Sequence, residues 1–242
     1  MFHTLFYEPV YNLLVIVLTV VPLHDIGAAI VIVTLFVKLV LLPLNLSALR
    51  TQYMMKKVEG EMGRIKELQK KDPQGASQQM IALYKREKIN PFSSLFVMIL
   101  QIPVFFALYF VFSKGLFNDP TSLYHFVTFP DKLHNLAFGL FDVTHKNIVV
   151  ALLAGISSYF LARRQTESMT PNKKHKKENK EESFQDQFMK SMKLQLLYVL
   201  PIIITFSAAV LPSALALYWF VSNSVSYALD VYMKRKLAHL KS

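Results

Sequence analysis

Cysteine is absent from this 242-residue chain, and that one absence excludes disulfides, thiolate nucleophiles, cysteine-ligated zinc and a lipoprotein attachment site. No glycine-rich phosphate loop occurs. The seven histidines, His3, His24, His125, His134, His145, His175 and His239, form no close pair at metal-ligand helical spacing. Serines in the apolar stretches lack the histidine and carboxylate companions that would make one a nucleophile. An enzyme is therefore not expected, and no metal, nucleotide or other cofactor is required. Internal repeats are missing too, which weighs against architectures assembled from matching halves. Acids are scarce: 16 Asp and Glu against 27 Lys and Arg give a formal charge of +11.

What is abundant is apolar sequence. Hydrophobic residues make up 53% of the chain and the mean hydropathy is +0.33. That mixture with so many cations reads as apolar spans separated by basic loops, not as one soluble core. Five segments have the apolar character of transmembrane helices: 26–48, 92–112, 148–162, 194–210 and 214–233. Only Leu211, Pro212 and Ser213 separate the last two, which makes those helices antiparallel neighbours. Charge orients them. Residues 48–91 hold ten Lys/Arg and five acids, 163–193 hold nine and five, and the tail from Lys234 holds four and none. The loop 114–146 carries only three Lys and three Asp. Alternation of five spans then satisfies the positive-inside rule, with the C-terminus cytoplasmic. The expected class is all-α, a polytopic membrane protein forming one unit over 1–242.

Lys38 interrupts the first span. Between Ile26 and Leu49 the only other polar residues are Thr34, Asn45 and Ser47. A charge there costs roughly 2.5–3.5 kcal/mol on insertion scales, so it marks function by default. Twelve residues from Ile26 put Lys38 about 18 Å into a core of about 30 Å, past the midplane and short of the boundary. Its long stem could instead carry the ammonium to the headgroups. At about 100° per residue, however, Thr34 and Asn45 lie within about 40° of Lys38, and such a polar stripe must face protein or water. The last span has a second stripe of Trp219, Ser222, Asn223, Ser226 and Asp230, with Ser226 near the depth of Lys38. The two stripes can line one cavity, to which Gln101, Ser157, Ser158, Gln195 and Thr205 are further candidates. Each of these alone also reads as an ordinary hydrogen bond between helices.

At the N-terminus, Val10 to Val21 is a short apolar run between Pro9 and Pro22. Its length indicates a helix lying on the outer face, over 5–22, in place of a sixth span. No basic n-region or small-residue cleavage pattern marks a secretory signal. Residues 49–90 read as a cytoplasmic helical hairpin, helical to Lys71, turning at Asp72-Pro73-Gln74-Gly75 and helical again from Ala76 to Lys88. Met54, Met55 and Met62, with Val58, Ile65 and Leu68, face Met80, Ile81 and Leu83. Such a face packs a hairpin, and methionines also make adaptable contacts for varied apolar partners. The segment 165–190, with Lys173-Lys174-His175-Lys176-Lys177, reads as a disordered cytoplasmic loop.

Four stretches together resemble the YidC/Oxa/Alb membrane protein insertases: TLFVKLVLLPLNLSALRTQYMMKK, ALYKREKINPFSSL, LQIPVFFALYFVFS and LPSALALYWFVSNSVS. The resemblance runs in order from about residue 5 to 236. It implies a bacterial plasma (inner) membrane protein with five spans around a hydrophilic groove, open to cytoplasm and lipid and closed outside. It also implies an N-terminal amphipathic helix on the outer surface. There are departures. Most bacterial relatives carry arginine where this chain has Lys38, so the charge is kept and the bidentate fork lost. Leu161 stands where some relatives have a groove glutamine. No large extracytoplasmic domain precedes the core, as in the compact bacterial type, here without its usual leader. The tail lacks the long basic extension of ribosome-docking members.

The function expected from this resemblance is insertion and folding assistance for newly made membrane proteins. The substrate groove would comprise Lys38, Thr34, Asn45, Gln101, Trp219, Asn223 and Ser226, and Met54, Met55 and Met62 of the hairpin would receive substrate. Expected partners are nascent membrane proteins and the lipid bilayer, with the Sec translocon and the ribosome as further candidates and no specific nucleic-acid sequence. The alternatives are a small transporter or channel binding an anionic solute at Lys38, and a structural membrane scaffold.

Overall fold

The computed structural model describes residues 1–69, 71–90, 92–113, 119–130, 134–168, 191 and 193–239, and their regular structure is overwhelmingly helical. Helix α1 is a π-helical turn, His3–Tyr7, running straight into an α-helix, Glu8–Val20. Pro9 does not end it. The N–H of Glu8 donates to the carbonyl of His3, five residues back, and this wider turn accommodates the ring that would otherwise clash with the preceding turn. The short run between two prolines is therefore an underestimate. The helix has 18 residues and, among the described residues, is long and apolar enough to cross a membrane on its own.

Its contacts nevertheless run across one end of the bundle. Asn12 donates to the carbonyls of Glu8 and Ser122, both at 2.8 Å, and accepts from Tyr124 N–H at 2.8 Å. His3 meets the Ser122 hydroxyl at 3.2 Å, and Phe2 packs edge-on against Phe110. At the other end of α1, Asp25 caps α2 (Ile26–Val40) through Ala28 N–H and also accepts from Phe138 N–H at 2.6 Å.

The first expected span, 26–48, is not one straight helix. α2 stops at Val40, and α3 (Leu42–Lys57) departs at 63°. Pro43 in the first turn of α3 supplies the cause, since proline suits a helix start and opposes continuation. A second break at Val58 separates α3 from α4 (Glu59–Leu68), so the stretch to Lys71 is two helices. α5 (Pro73–Arg86) starts earlier than expected. Asp72 is its N-cap, accepting from Gly75 N–H at 2.9 Å, and Pro73 to Gly75 form its first turn and not a free loop. The hairpin core is Val58, Ile65, Ala76, Leu83 and Ile89, with Met54, Met55, Met62, Leu68, Met80 and Tyr84 packed on it. Ile81 is exposed, contrary to expectation, because Ala76, Met80 and Leu83 occupy the inward stripe and Ile81 lies about 100° off it.

Four more helices complete the bundle: α6 (Ser93–Ser113), α7 (Ile148–Ser168), α8 and α9 (Ser213–His239). α8 joins a π turn, Gln195–Val199, to Leu200–Val210, and this turn precedes Pro201 as the first precedes Pro9. α7 reaches Ser168, so residues 165–168 of the expected loop are helical; the rest of that loop lies outside the described residues. α9 extends six residues beyond the expected end of its span, 233 to 239. α8 and α9 touch, but α7 is the principal neighbour of both, and α9 also packs on α2. Alanines make these approaches close: Ala151, Ala154, Ala208, Ala214 and Ala216 are fully buried.

A small cap closes the end of the bundle where α2 and α9 begin. Strands β1 (Leu136–Ala137) and β2 (Phe141–Asp142) form an antiparallel pair. Ser213 N–H donates to the His145 carbonyl at 2.9 Å, Ala214 N–H to the Val143 carbonyl at 3.0 Å, and the Ser213 hydroxyl to the Asp142 carbonyl at 2.8 Å. By length and composition, α2 and α3 pass as a span only as a bent pair, and Ile99–Ser113 within α6 and Gln195–Val210 in α8 are apolar stretches. The polar side chains of α9 and the arginines ending α7 dilute the hydropathy of those two.

Candidate substrate groove

Lys38 faces the bundle interior. It is 8% exposed, and its ammonium donates to the Ser226 hydroxyl at 2.9 Å, across from α2 to α9. Ser226 in turn donates to the Ser222 carbonyl at 2.9 Å. The stem therefore does not run out to a headgroup level. An ammonium has three donors, and among the described residues one bond is formed, which leaves two for water or an incoming acceptor.

The other polar candidates divide. Asn223 donates to Ser157 at 3.4 Å, joining α9 to α7, and Ser157 donates to the Ala154 carbonyl at 2.8 Å. Gln101 of α6 bonds the Tyr218 hydroxyl of α9, and Trp219 stacks on Phe105 with ring centroids 5.1 Å apart. These residues form one polar seam on α9, met by α2, α6 and α7 in turn. Thr34 and Asn45 do not join it through hydrogen bonds among the described residues. Thr34 is buried and returns its hydroxyl to the Ile30 carbonyl at 2.6 Å, while Asn45 lies beyond the bend and returns its amide to Leu41 at 3.0 Å. The stripe drawn on a straight helix is broken at Leu41, so Asn45 leaves the face of Lys38.

Further toward the hairpin, α9 carries a fully engaged carboxylate. Asp230, 1% exposed, accepts from Arg164 Nε of α7 at 2.9 Å and from the Tyr53 hydroxyl of α3 at 3.0 Å. Burial and the adjoining carboxylate push the Tyr53 phenol above its usual range, so it stays a donor. Lys56 adds a bond from α3 to the Glu167 carbonyl at 2.7 Å. Three elements are thus tied at the base of the hairpin. Asp230 was legible on the last polar stripe, but Tyr53 and Arg164 were not, since each alone reads as an ordinary residue of a basic loop.

The sequence that builds this bundle has a match among known protein families. The sequence pattern of the family described as 60Kd inner membrane protein matches residues 14–240. The chain belongs to the 60Kd inner membrane protein family, that of the YidC/Oxa/Alb insertases. Relatives within the family include proteins named "Membrane protein insertase YidC" from Syntrophobacter fumaroxidans, 30% identical over 88% of this chain, and Geotalea uraniireducens, 28% identical over 88%. This chain spans only 35% of the length of each of those two. The protein of the same name from Clostridium tetani is 28% identical over 88% of this chain and is covered over 84% of its own length. The family pattern takes in Lys38, the hairpin and all of α9, so the cross-bundle bond and the Asp230 cluster lie inside it.

Proposed function

We propose that the chain is a membrane protein insertase, and that Lys38 with the polar seam of α9 is the place where it receives the hydrophilic end of a substrate. The observation that carries this is the cross-bundle bond from Lys38 to Ser226, which keeps a cation inside an apolar bundle with two donors to spare. The relatives' names support the same activity.

In this reading the cap end is extracytoplasmic and the hairpin cytoplasmic, as the loop charges require. The helices α2 with the start of α3, α6, α7, α8 and α9 are the five spans, α1 lies on the outer face against the cap, and the C-terminus is cytoplasmic. The bilayer in question is the bacterial inner membrane. A seam of hydroxyls and amides partway through the bilayer shortens the apolar path for a polar segment, and the ammonium offers a compensating charge to an acidic one. Met54, Met55 and Met62, partly buried on the hairpin core, give an adaptable apolar surface for the substrate's spanning segment. That segment then leaves sideways into lipid, favoured by about 25 cal/mol per Å² of apolar surface removed from water. Substrates are nascent membrane proteins, and neither nucleotide nor metal takes part.

Photo-crosslinkers placed at Met55 and at Ser226 test this order. Ribosome-bound membrane segments of increasing length should be captured at Met55 first and at Ser226 later. Capture at neither position by any length overturns the assignment of the groove.

A further inference from the structure

At the cap end, away from Lys38, a shallow cavity open to the surface is lined by Thr144, His145, Lys146, Val210 and Pro212. Its chemistry is split between two elements. The loop supplies a hydroxyl, an imidazole and an ammonium, and the end of α8 supplies apolar surface.

Lys146 is the charge that an anion would meet. Asp142 is the nearby acid, and its carboxylate is turned onto its own loop: one oxygen accepts the N–H and hydroxyl of Thr144 at 2.8 and 2.5 Å, the other lies 3.2 Å from His145 Nδ1. Burial opposes that ionised carboxylate, but the Thr144 and His145 hydrogen bonds outweigh it and hold its pKa below the usual range. Lys146 is exposed and forms no ion pair among the described residues. Its ammonium is free to meet an incoming charge.

Below the cavity the surface is apolar in a direction that matches an acyl chain. On α8, Val210, Phe206, Ile203 and Val199 follow one another at steps of four, three and four residues, and all are exposed, Phe206 most at 72%. At about 100° per residue they fall within about 60° of one another, a line that descends from the cavity wall within a wider exposed apolar face that also holds Ile202. Beside it on α7, Val149, Leu153, Ile156 and Phe160 make a second exposed stripe at the same spacing. Gly155 lets the two helices meet closely, since a side chain there would occupy the position of Thr205.

We infer that this cavity is a binding site for an outer-leaflet phospholipid, with the headgroup phosphate at His145 and Lys146 and an acyl chain along Val210, Phe206, Ile203 and Val199. A cation above an unbroken apolar stripe fits an amphiphile and leaves no role for that stripe in binding a free anion. An anionic headgroup such as that of phosphatidylglycerol is favoured over a choline headgroup, which would set its own cation beside Lys146. The inference rests on the membrane placement proposed above.

The test uses the full chain purified in detergent, with native mass spectrometry of retained lipid after separate addition of phosphatidylglycerol, phosphatidylcholine and inorganic phosphate. The native chain should retain one phosphatidylglycerol, and Lys146→Glu should lower retention about tenfold, the value of one charge-assisted hydrogen bond. Lys88→Glu, on the hairpin, should leave retention unchanged. Equal retention by Lys146→Glu and the native chain overturns the site, and so does displacement of the lipid by inorganic phosphate at millimolar concentration. Should Lys146→Glu not fold, a phosphatidylglycerol with a photoreactive headgroup on the native chain replaces it. Attachment at 144–146 or 210–212 supports the site, and attachment elsewhere overturns it. Alkaline carbonate extraction of the chain from vesicles separates the two layers: extraction overturns the membrane placement, whereas a chain that stays with the vesicles but loses no lipid in Lys146→Glu overturns this site alone.

Discussion

Replacing Lys38 by leucine separates a working charge from a tolerated one. Structurally the substitution is mild. The Ser226 hydroxyl keeps its own bond to the Ser222 carbonyl at 2.9 Å, so no buried donor is orphaned when the ammonium goes. Removing a charge from the bundle also relieves an insertion cost of roughly 2.5–3.5 kcal/mol, so Lys38→Leu should be at least as stable as the native chain. Activity should move the other way. A substrate carboxylate that displaces the Ser226 hydroxyl exchanges a bond to a neutral group for one between charges, worth about 1.5–3 kcal/mol net. That is roughly a ten- to hundredfold effect on substrates with acidic outer tails, and much less on substrates with neutral tails. Lys38→Arg should keep most of the activity, and Lys38→Glu should lose the most through repulsion. The assay is the protease-protected fraction of each substrate in liposomes holding equal amounts of each variant. Full activity of Lys38→Leu on the acidic-tailed substrate refutes the reasoning.

Two further outcomes follow from the structure. Asp230→Ala leaves Arg164 without its partner at the base of the hairpin, a loss of about 3–5 kcal/mol for a buried pair, and should lower the unfolding temperature seen through Trp219 fluorescence; an unchanged temperature contradicts the clamp, and the swap Asp230→Arg with Arg164→Asp should restore part of it. A cysteine at His125, exposed on the loop that packs against α1, should react with an impermeant reagent in intact cells and one at the exposed Ser77 only after lysis, while labelling at Ser77 in intact cells reverses the orientation.

The legible and illegible parts of this chain differ by range. Local signals carried the two arms of the hairpin and the apolar stretches, whereas the 72–75 segment, expected as a turn, is the capped first turn of α5. The meeting of Lys38 and Ser226, 188 residues apart, was within reach because both lie about twelve residues into parallel helices that begin at the same end. What failed was continuity. The apolar run 26–48 predicts one span, yet Pro43 begins a new helix, and the resulting bend falls between Lys38 and Asn45. Pro9 was read as a boundary, yet a π turn carries the helix through it. A proline thus forces an adjustment that sequence marks but does not choose. The Asp230 cluster was hidden for another reason: its partners come from 66 and 177 residues away, and no spacing rule joins an arginine, a tyrosine and an aspartate on three helices.

The central claim is that this chain by itself moves the polar end of a membrane protein across a bilayer. Liposomes containing only the purified chain, offered a newly synthesised single-span protein with a short acidic outer tail, measure that directly. The account predicts a protease-protected tail fraction well above that of empty liposomes, with no saturable uptake of small anions. Protection no greater than in empty liposomes contradicts it, and anion uptake abolished by Lys38→Leu would make the cation a transporter's binding site instead.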